Sequence, residues 1–138
     1  MCCVVGGGQS NTASRTSTVI GDGLNNLAQG QDGFPGGGEK NQLKGQLVAL
    51  GGGKFNIVMR SSVGSCLSGR FKNIVKGPGN ATILGGFNNL VNSNYAIVMG
   101  QNSQALGNNC MAIGLEPDSR RYARATQKGD FLIRSRII

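Results

Sequence analysis

The stretch Val4–Ser14, V-V-G-G-G-Q-S-N-T-A-S, decides the fold, because its pattern returns about every fifteen residues as far as Gly114. The unit is an apolar pair or triplet, a glycine cluster, an asparagine, a pair whose second member is apolar, and a polar tail. The glycine after each apolar group falls at Gly6, Gly21, Gly36, Gly51, Gly85, Gly100 and Gly114, with Ser68 in that role between Gly51 and Gly85; the intervals are 15, 15, 15, 17, 17, 15 and 14. The asparagine follows at Asn11, Asn26, Asn41, Asn56, Asn73 and Asn89, with Ser103 replacing it in the seventh copy. A fixed period of this length is the mark of a solenoid, in which each repeat is one rung of a stack.

Alternation within the unit sets the strands. In an extended segment, neighbouring side chains point to opposite faces. The second residue before the glycine is Val4, Val19, Phe34, Ala49, Cys66, Ile83, Val98 or Ala112, and the first is Val5, Ile20, Pro35, Leu50, Leu67, Leu84, Met99 or Ile113. Both positions are apolar throughout, which predicts a strand buried on both faces. After the asparagine the pairs are Thr12-Ala13, Leu27-Ala28, Gln42-Leu43, Ile57-Val58, Ile74-Val75, Leu90-Val91 and, after Ser103, Gln104-Ala105. Only the second member is always apolar, so this strand buries one face. Two short strands per coil, stacked at ~4.8 Å per rung, give an all-β parallel roll of about eight coils and roughly 40 Å length. The roll's interior takes one face of the first strand; the other needs a cover, for which identical neighbouring chains in a closed cyclic oligomer are the economical choice. A wider coil with a third wall is the alternative.

Asn11, Asn26, Asn41, Asn56, Asn73, Asn89 and Ser103 read as turn and ladder elements, since asparagine tolerates left-handed backbone and its amide can stack along a coil axis. Pro35 cannot donate to a ladder, so hydrogen bonding should weaken in its rung. Two copies between Ser61 and Asn80 are lengthened, and Gly77-Pro78-Gly79 reads as a protruding turn. The repeat domain is assigned to residues 1–115. Glu116-Pro117-Asp118-Ser119-Arg120-Arg121 reads as a charged turn opening a capping or exit segment, 116–138, with Phe131, Leu132 and Ile133 as one last strand.

Composition excludes several classes of function. With 38% hydrophobic residues, 5% aromatic and no Trp, the 138 residues support only a thin core, and the 24 Gly have a period that marks them as turns. There is no His, and Cys2, Cys3, Cys66 and Cys110 lack zinc-site spacing, so no metal or cofactor is expected. The cysteines are expected to be buried free thiols, as in a reducing compartment. No nucleophile has a base beside it, and no carboxylate pair is suitably spaced, so the chain is not read as an enzyme. No apolar run approaches the ~20 residues of a membrane span, and no signal peptide is visible.

The formal charge is +8, and between Lys40 and Lys76 lie seven basic residues and no acidic one: Lys40, Lys44, Lys54, Arg60, Arg70, Lys72 and Lys76. Lys54-Phe55 and Arg70-Phe71-Lys72 set aromatics beside cations. Lys54, Phe55, Arg60, Arg70, Phe71, Lys72 and Lys76 are therefore the candidate ligand-binding residues of a basic belt. An anionic glycan or an acidic protein surface would suit it. Nucleic acid ranks below both, because no nucleic-acid motif accompanies the charge. A belt that merely keeps a glycine-rich rod soluble is the plain alternative.

The copies G-G-G-Q-S-N-T-A-S and I-V-M-G-Q-N-S-Q-A-L-G-N-N-C-M-A-I-G, the latter Ile97–Gly114, resemble the head repeats of trimeric autotransporter adhesins of the Yersinia adhesin type. A-R-A-T-Q-K-G-D-F, Ala123–Phe131, is similar to the segment that often closes such repeats in bacterial, phage and giant-virus surface or fibre proteins. The resemblance implies a left-handed roll and a homotrimer; neither the hand nor the number three follows from the residues, and the general crossover preference is for the opposite hand. The adhesins carry a signal peptide, a stalk and a membrane anchor that this chain does not show. The expectation is thus a trimeric virion fibre, spike or capsid-associated protein at a virion surface, contacting a receptor or other virion proteins without membrane insertion. The alternative is the head of a bacterial cell-surface adhesin.

Overall fold

The computed structural model describes residues 2–115 and 120–135. These residues form short strands and no helix: β1 (Cys3–Val5), β2 (Thr12–Ala13), β3 (Thr18–Ile20), β4 (Leu27–Ala28), β5 (Phe34–Pro35), β6 (Gln42–Leu43), β7 (Ala49–Leu50), β8 (Ile57–Val58), β9 (Cys66–Leu67), β10 (Ile74–Val75), β11 (Thr82–Phe87), β12 (Leu90–Val91), β13 (Ile97–Gln101), β14 (Ser103–Ala105), β15 (Met111–Gly114), β16 (Ala123–Ala125) and β17 (Phe131–Arg134). The even strands build one eight-stranded parallel sheet, and the odd strands from β5 to β17 build a seven-stranded one. β1 and β3 form a two-stranded sheet of their own, and each coil contributes one odd and one even strand, so the described residues form a two-walled parallel β-solenoid. No helix among the described residues is long and apolar enough to cross a membrane.

The core is a double file of small apolar side chains between the sheets. Ala28, Leu43, Val58, Val75, Val91 and Ala105 of the even sheet are fully buried against Ile20, Leu50, Leu67, Ile83, Val98 and Ala112. The second file corrects the register read from the glycines. Thr82 pairs with Cys66 and Ile83 with Leu67, so Gly85 is one place late and Leu84 takes the position of Ser68. From that rung on, the inward residue is the middle one of the triplet. Leu84, Met99 and Ile113 point outward beside Thr82, Ile97 and Met111, where earlier coils have Gly21, Gly36 and Gly51. The odd strands thus bury one face only, and their outer faces carry exposed Val4, Phe34, Leu84, Phe131 and Ile133.

An asparagine ladder runs along the interior of the first turn. The Oδ1 of Asn11, Asn26, Asn41, Asn56, Asn73 and Asn89 accepts the backbone N–H of the next rung's Asn26, Asn41, Asn56, Asn73, Asn89 and Ser103, at 2.9–3.1 Å. Each Nδ2 donates to glycine carbonyls of its own or the next coil, as Asn41 does to Gly37 O (2.9 Å) and Gly53 O (2.8 Å). Those backbone N–H groups turn inward, away from the sheet ladders, and a buried donor must find an acceptor. An amide is the side chain that accepts through its oxygen and donates through its nitrogen at once. Ser103 ends the chain of amides by donating to Met99 O (3.0 Å).

Left-handed backbone falls one residue before the ladder, at Ser10, Asn25, Lys40, Phe55, Lys72, Asn88 and Asn102, not on the ladder asparagines themselves. A second left-handed position recurs in the opposite turn, at Ser17, Asp32, Leu47, Gly64, Asn80, Tyr95, Asn109 and Gly129. Leu47, with φ 51° and 62% exposure, has the side chain least suited to that position. Its N–H donates to Gln31 O as Asn80 N–H does to Val63 O, so asparagine fits there. Leu47→Asn is expected to raise stability by about 1 kcal/mol through relief of left-handed strain. A melting temperature at or below that of the parent would show that the turn holds no such strain.

Pro35 interrupts the odd sheet as its missing N–H requires. β1 and β3 pair with each other, and the seven-stranded sheet starts at β5. Val19 N–H still donates to Gly33 O and Gly21 N–H to Pro35 O, so the stack continues across the gap. At the other end the repeat does not stop at Gly114. Ala123–Ala125 pair with Ser103–Ala105, and Phe131–Arg134 with Met111–Gly114, making one further coil. Within the described residues nothing covers that coil: Leu132, in the inward file, is 37% exposed. The expected turn at Glu116-Pro117-Asp118-Ser119 lies outside the described residues.

Candidate functional site

Two turns per coil make two edges along the rod, and the basic residues divide between them. Lys40, Lys54, Arg70 and Lys72 lie on the edge preceding the asparagine ladder, whereas Lys44, Arg60 and Lys76 lie on the opposite edge. The single belt read from the sequence is corrected accordingly: Arg60 and Lys76 do not join the other candidates. Contiguous charge in the chain becomes two stripes because each coil changes edge every seven or eight residues.

On the first edge, equivalent turn residues form one column of bridges, Gln9, Leu24, Glu39, Lys54, Phe71 and Phe87, continued by Gln101. Phe55 sits beside this column at a left-handed position. The rings stack at nearly the rung spacing. Phe71 and Phe87 are parallel, with centroids 5.4 Å apart and planes at 2°, and Phe55 meets Phe71 edge-on at 5.6 Å. Lys40 Nζ lies 5.3 Å over the Phe55 ring, and Lys72 Nζ 5.2 Å over that of Phe71. Such placements are favourable because the ring face is electronegative.

Glu39 supplies the countercharge that the stretch from Lys40 to Lys76 lacks. Its carboxylate lies 2.6 Å from Lys54 Nζ and 3.6 Å from Lys40 Nζ. The hydrogen bond from Lys54 holds the Glu39 carboxyl below its ordinary range, against a smaller opposing effect of desolvation. Arg70 occupies the column that holds Gly8, Gly23, Gly38 and Gly53 in earlier coils and Gly86 in the next. Together, Lys54, Arg70, Phe71, Phe87 and Gln101 line a groove of about 590 Å³. Asn25, Leu27, Lys40, Gln42, Phe55 and Ile57 line a neighbouring hollow of about 430 Å³.

The opposite edge carries a smaller, polar hollow of about 150 Å³, bounded by Arg15, Lys44 and Arg60 with Gln29, Gln31 and Gln46. Lys76 stands apart from it, its carbonyl accepting the Ser61 hydroxyl at 2.9 Å. Sequence reading missed Phe87 and Gln101 at the first edge and Arg15 at the second. Phe87 was findable, since it precedes Asn89 by the same two places as Phe71 precedes Asn73.

The cysteines are free, but Cys2, Cys3 and Cys66 are exposed and only Cys110 is buried, correcting the expectation that they share the core. Cys66 falls on the outer face of the odd sheet beside inward Leu67. Cys110 donates to Gly107 O at 2.6 Å, and burial pushes its pKa up, which keeps it a thiol. Among the described residues, no group of three cysteine or acidic side chains is placed to hold a metal ion. Neither a protein-family model, a curated protein nor a solved structure matches the chain.

Proposed function

We propose that this protein is a non-enzymatic attachment and structural module that works as a homotrimer, with the outer faces of the odd sheets turned toward one another. The observation that carries this reading is the apolar strip on that face, where Val4, Phe34, Leu84, Phe131 and Ile133 lie along the length of the rod. Single exposed apolar residues are ordinary, whereas exposed apolar residues recurring on one face mark an association surface. Covering it with copies of the same sheet leaves both charged edges in solvent. The number three and the setting of a virion fibre, spike or capsid-associated protein rest on the resemblance of Ile97–Gly114 to adhesin head repeats. In that setting the rigid roll presents the Phe55–Phe87 edge to a receptor or a neighbouring protein.

Light scattering at micromolar concentration tests the assembly and is expected to give the mass of three chains. The double variant Phe34→Lys, Leu84→Lys is expected to run as a monomer with its β-sheet circular dichroism intact, because both side chains point away from the core. A monomeric parent, or a double variant of unchanged mass, would remove the odd-sheet face from the account.

A further inference from the structure

We infer that the open end of the phenylalanine stack, together with Arg70 and Gln101, is a binding site for an acidic sugar, one whose ring carries a carboxylate. The inference deepens the attachment reading and rests on it for its biological setting. Its chemistry is carried by the groove.

Three features converge there. Phe87 ends the stack: Phe71 covers one face of its ring, and the next side chain in the column is Gln101, not another ring. The Phe87 ring is more than a third exposed and lines the groove, an aromatic surface against which the C–H face of a sugar packs. Arg70 projects from a column of glycines, so no side chain of the adjoining rungs in that column crowds its guanidinium. A planar guanidinium matches a carboxylate with two parallel hydrogen bonds. The Gln101 amide both donates and accepts, which suits hydroxyl groups. The groove of about 590 Å³ falls within the ~300–1,000 Å³ of small-ligand clefts. Lys54, already engaged by Glu39, closes one side and adds long-range attraction.

The same geometry disfavours the other polyanions. A single nucleic-acid strand gains affinity by stacking successive bases on successive free rings. Here the rings of Phe55 and Phe71 are taken up by Lys40, Lys72 and each other. An acidic peptide would engage Arg70 and leave the Phe87 face without a partner.

Titration of the intact protein, followed by calorimetry and by NMR shifts, uses four probes: a sialylated or uronic oligosaccharide, its uncharged counterpart, a single-stranded oligonucleotide and oligoglutamate. Saturable binding of an acidic sugar is expected, weakened about tenfold or more when the carboxylate is absent, the difference made by a charge-assisted pair. Arg70→Ser and Phe87→Leu should each reduce affinity by a similar factor, and Arg60→Ser on the opposite edge should leave it unchanged. The inference is overturned by no saturable sugar binding, by tighter binding of oligonucleotide or oligoglutamate, or by an equal loss with Arg60→Ser. Light scattering on the same samples separates the two readings: trimers that bind no acidic sugar sink this site alone, and a monomer that binds one sinks only the trimer.

Discussion

Asn56→Ala is expected to lower the free energy of unfolding by about 3 kcal/mol, although the residue touches no ligand and sits in a turn. Its side chain joins three coils. Oδ1 accepts from Asn73 N–H (3.0 Å) and Asn73 Nδ2 (3.1 Å), and Nδ2 donates to Asn41 Oδ1 (3.1 Å) and Gly52 O (3.0 Å). Asn56 and Asn73 are fully buried, so truncation leaves the Asn73 backbone donor without a partner where water does not reach, and also frees the part-buried Gly52 carbonyl. A buried unsatisfied group costs about 1–3 kcal/mol, well above the net worth of an ordinary hydrogen bond. Asn11 makes equivalent bonds at the end of the stack but is only half-buried. Water can replace its amide, and Asn11→Ala should cost about 1 kcal/mol. Denaturant unfolding measures both; equal losses at Asn11 and Asn56 would refute the ladder as the source of the difference.

The isosteric change Asn56→Asp refines the test. One carboxylate oxygen still accepts from Asn73, while the other faces the Asn41 and Gly52 oxygens and raises the pKa of the new carboxyl. A raised folded pKa means that stability is fully present below the unfolded value, ~3.9, and is lost as pH rises through the folded one. Asn56→Asp should therefore be nearly as damaging as alanine at pH 7 and recover toward pH 4. A variant that weakens further on acidification, relative to the parent, would contradict this arrangement.

The ladder and the even sheet are the parts most legible in the sequence, because each is marked by a strict requirement. Asparagine alone satisfies the inward N–H groups, and one small apolar residue after each polar or apolar partner fixes the buried face. The odd sheet is harder to read. Ile83-Leu84, Val98-Met99 and Ala112-Ile113 are apolar at adjacent positions, and a one-residue slip exchanges the two faces. Counting back from the asparagine resolves the first of these pairs, since Leu50, Leu67 and Ile83 each stand six places before Asn56, Asn73 and Asn89, but not the second, where inward Val98 stands five places before Ser103. Counting forward from the glycine does not, since Leu84 displaces the first glycine of its cluster. The candidate edge was half legible for a similar reason. Lys54-Phe55 and Arg70-Phe71-Lys72 are visible as pairs, but their alignment with Phe87 and Gln101, and the separation of Arg60 and Lys76, depend on which turn each residue occupies.

The glycines of the first turn give the other large expected effect, with Gly38→Ala as its sharpest case. Gly38 has φ +94°, and a Cβ built there would stand 2.1 Å from Gly53 O and 2.9 Å from both Gly53 N and Asn41 Nδ2. The two causes of damage are separable. Left-handed backbone with a side chain costs about 1–2 kcal/mol wherever it occurs. Crowding adds more only where the neighbour cannot move, and Gly53 O is held by Asn41 Nδ2 and Glu39 N–H. Gly129 provides the control: its φ is +83°, but a Cβ there meets nothing within 4 Å. Gly129→Ala is expected to cost about 1 kcal/mol, the strain alone. Gly38→Ala should cost about 4 kcal/mol or more, as overpacking and broken bonds add to strain. The rung spacing is then what the glycine enforces, because stacked turns touch backbone to backbone and a single methyl group stands where the next coil must lie. Similar losses at the two positions would place the whole effect in backbone strain and leave the close stacking of the turns without energetic weight.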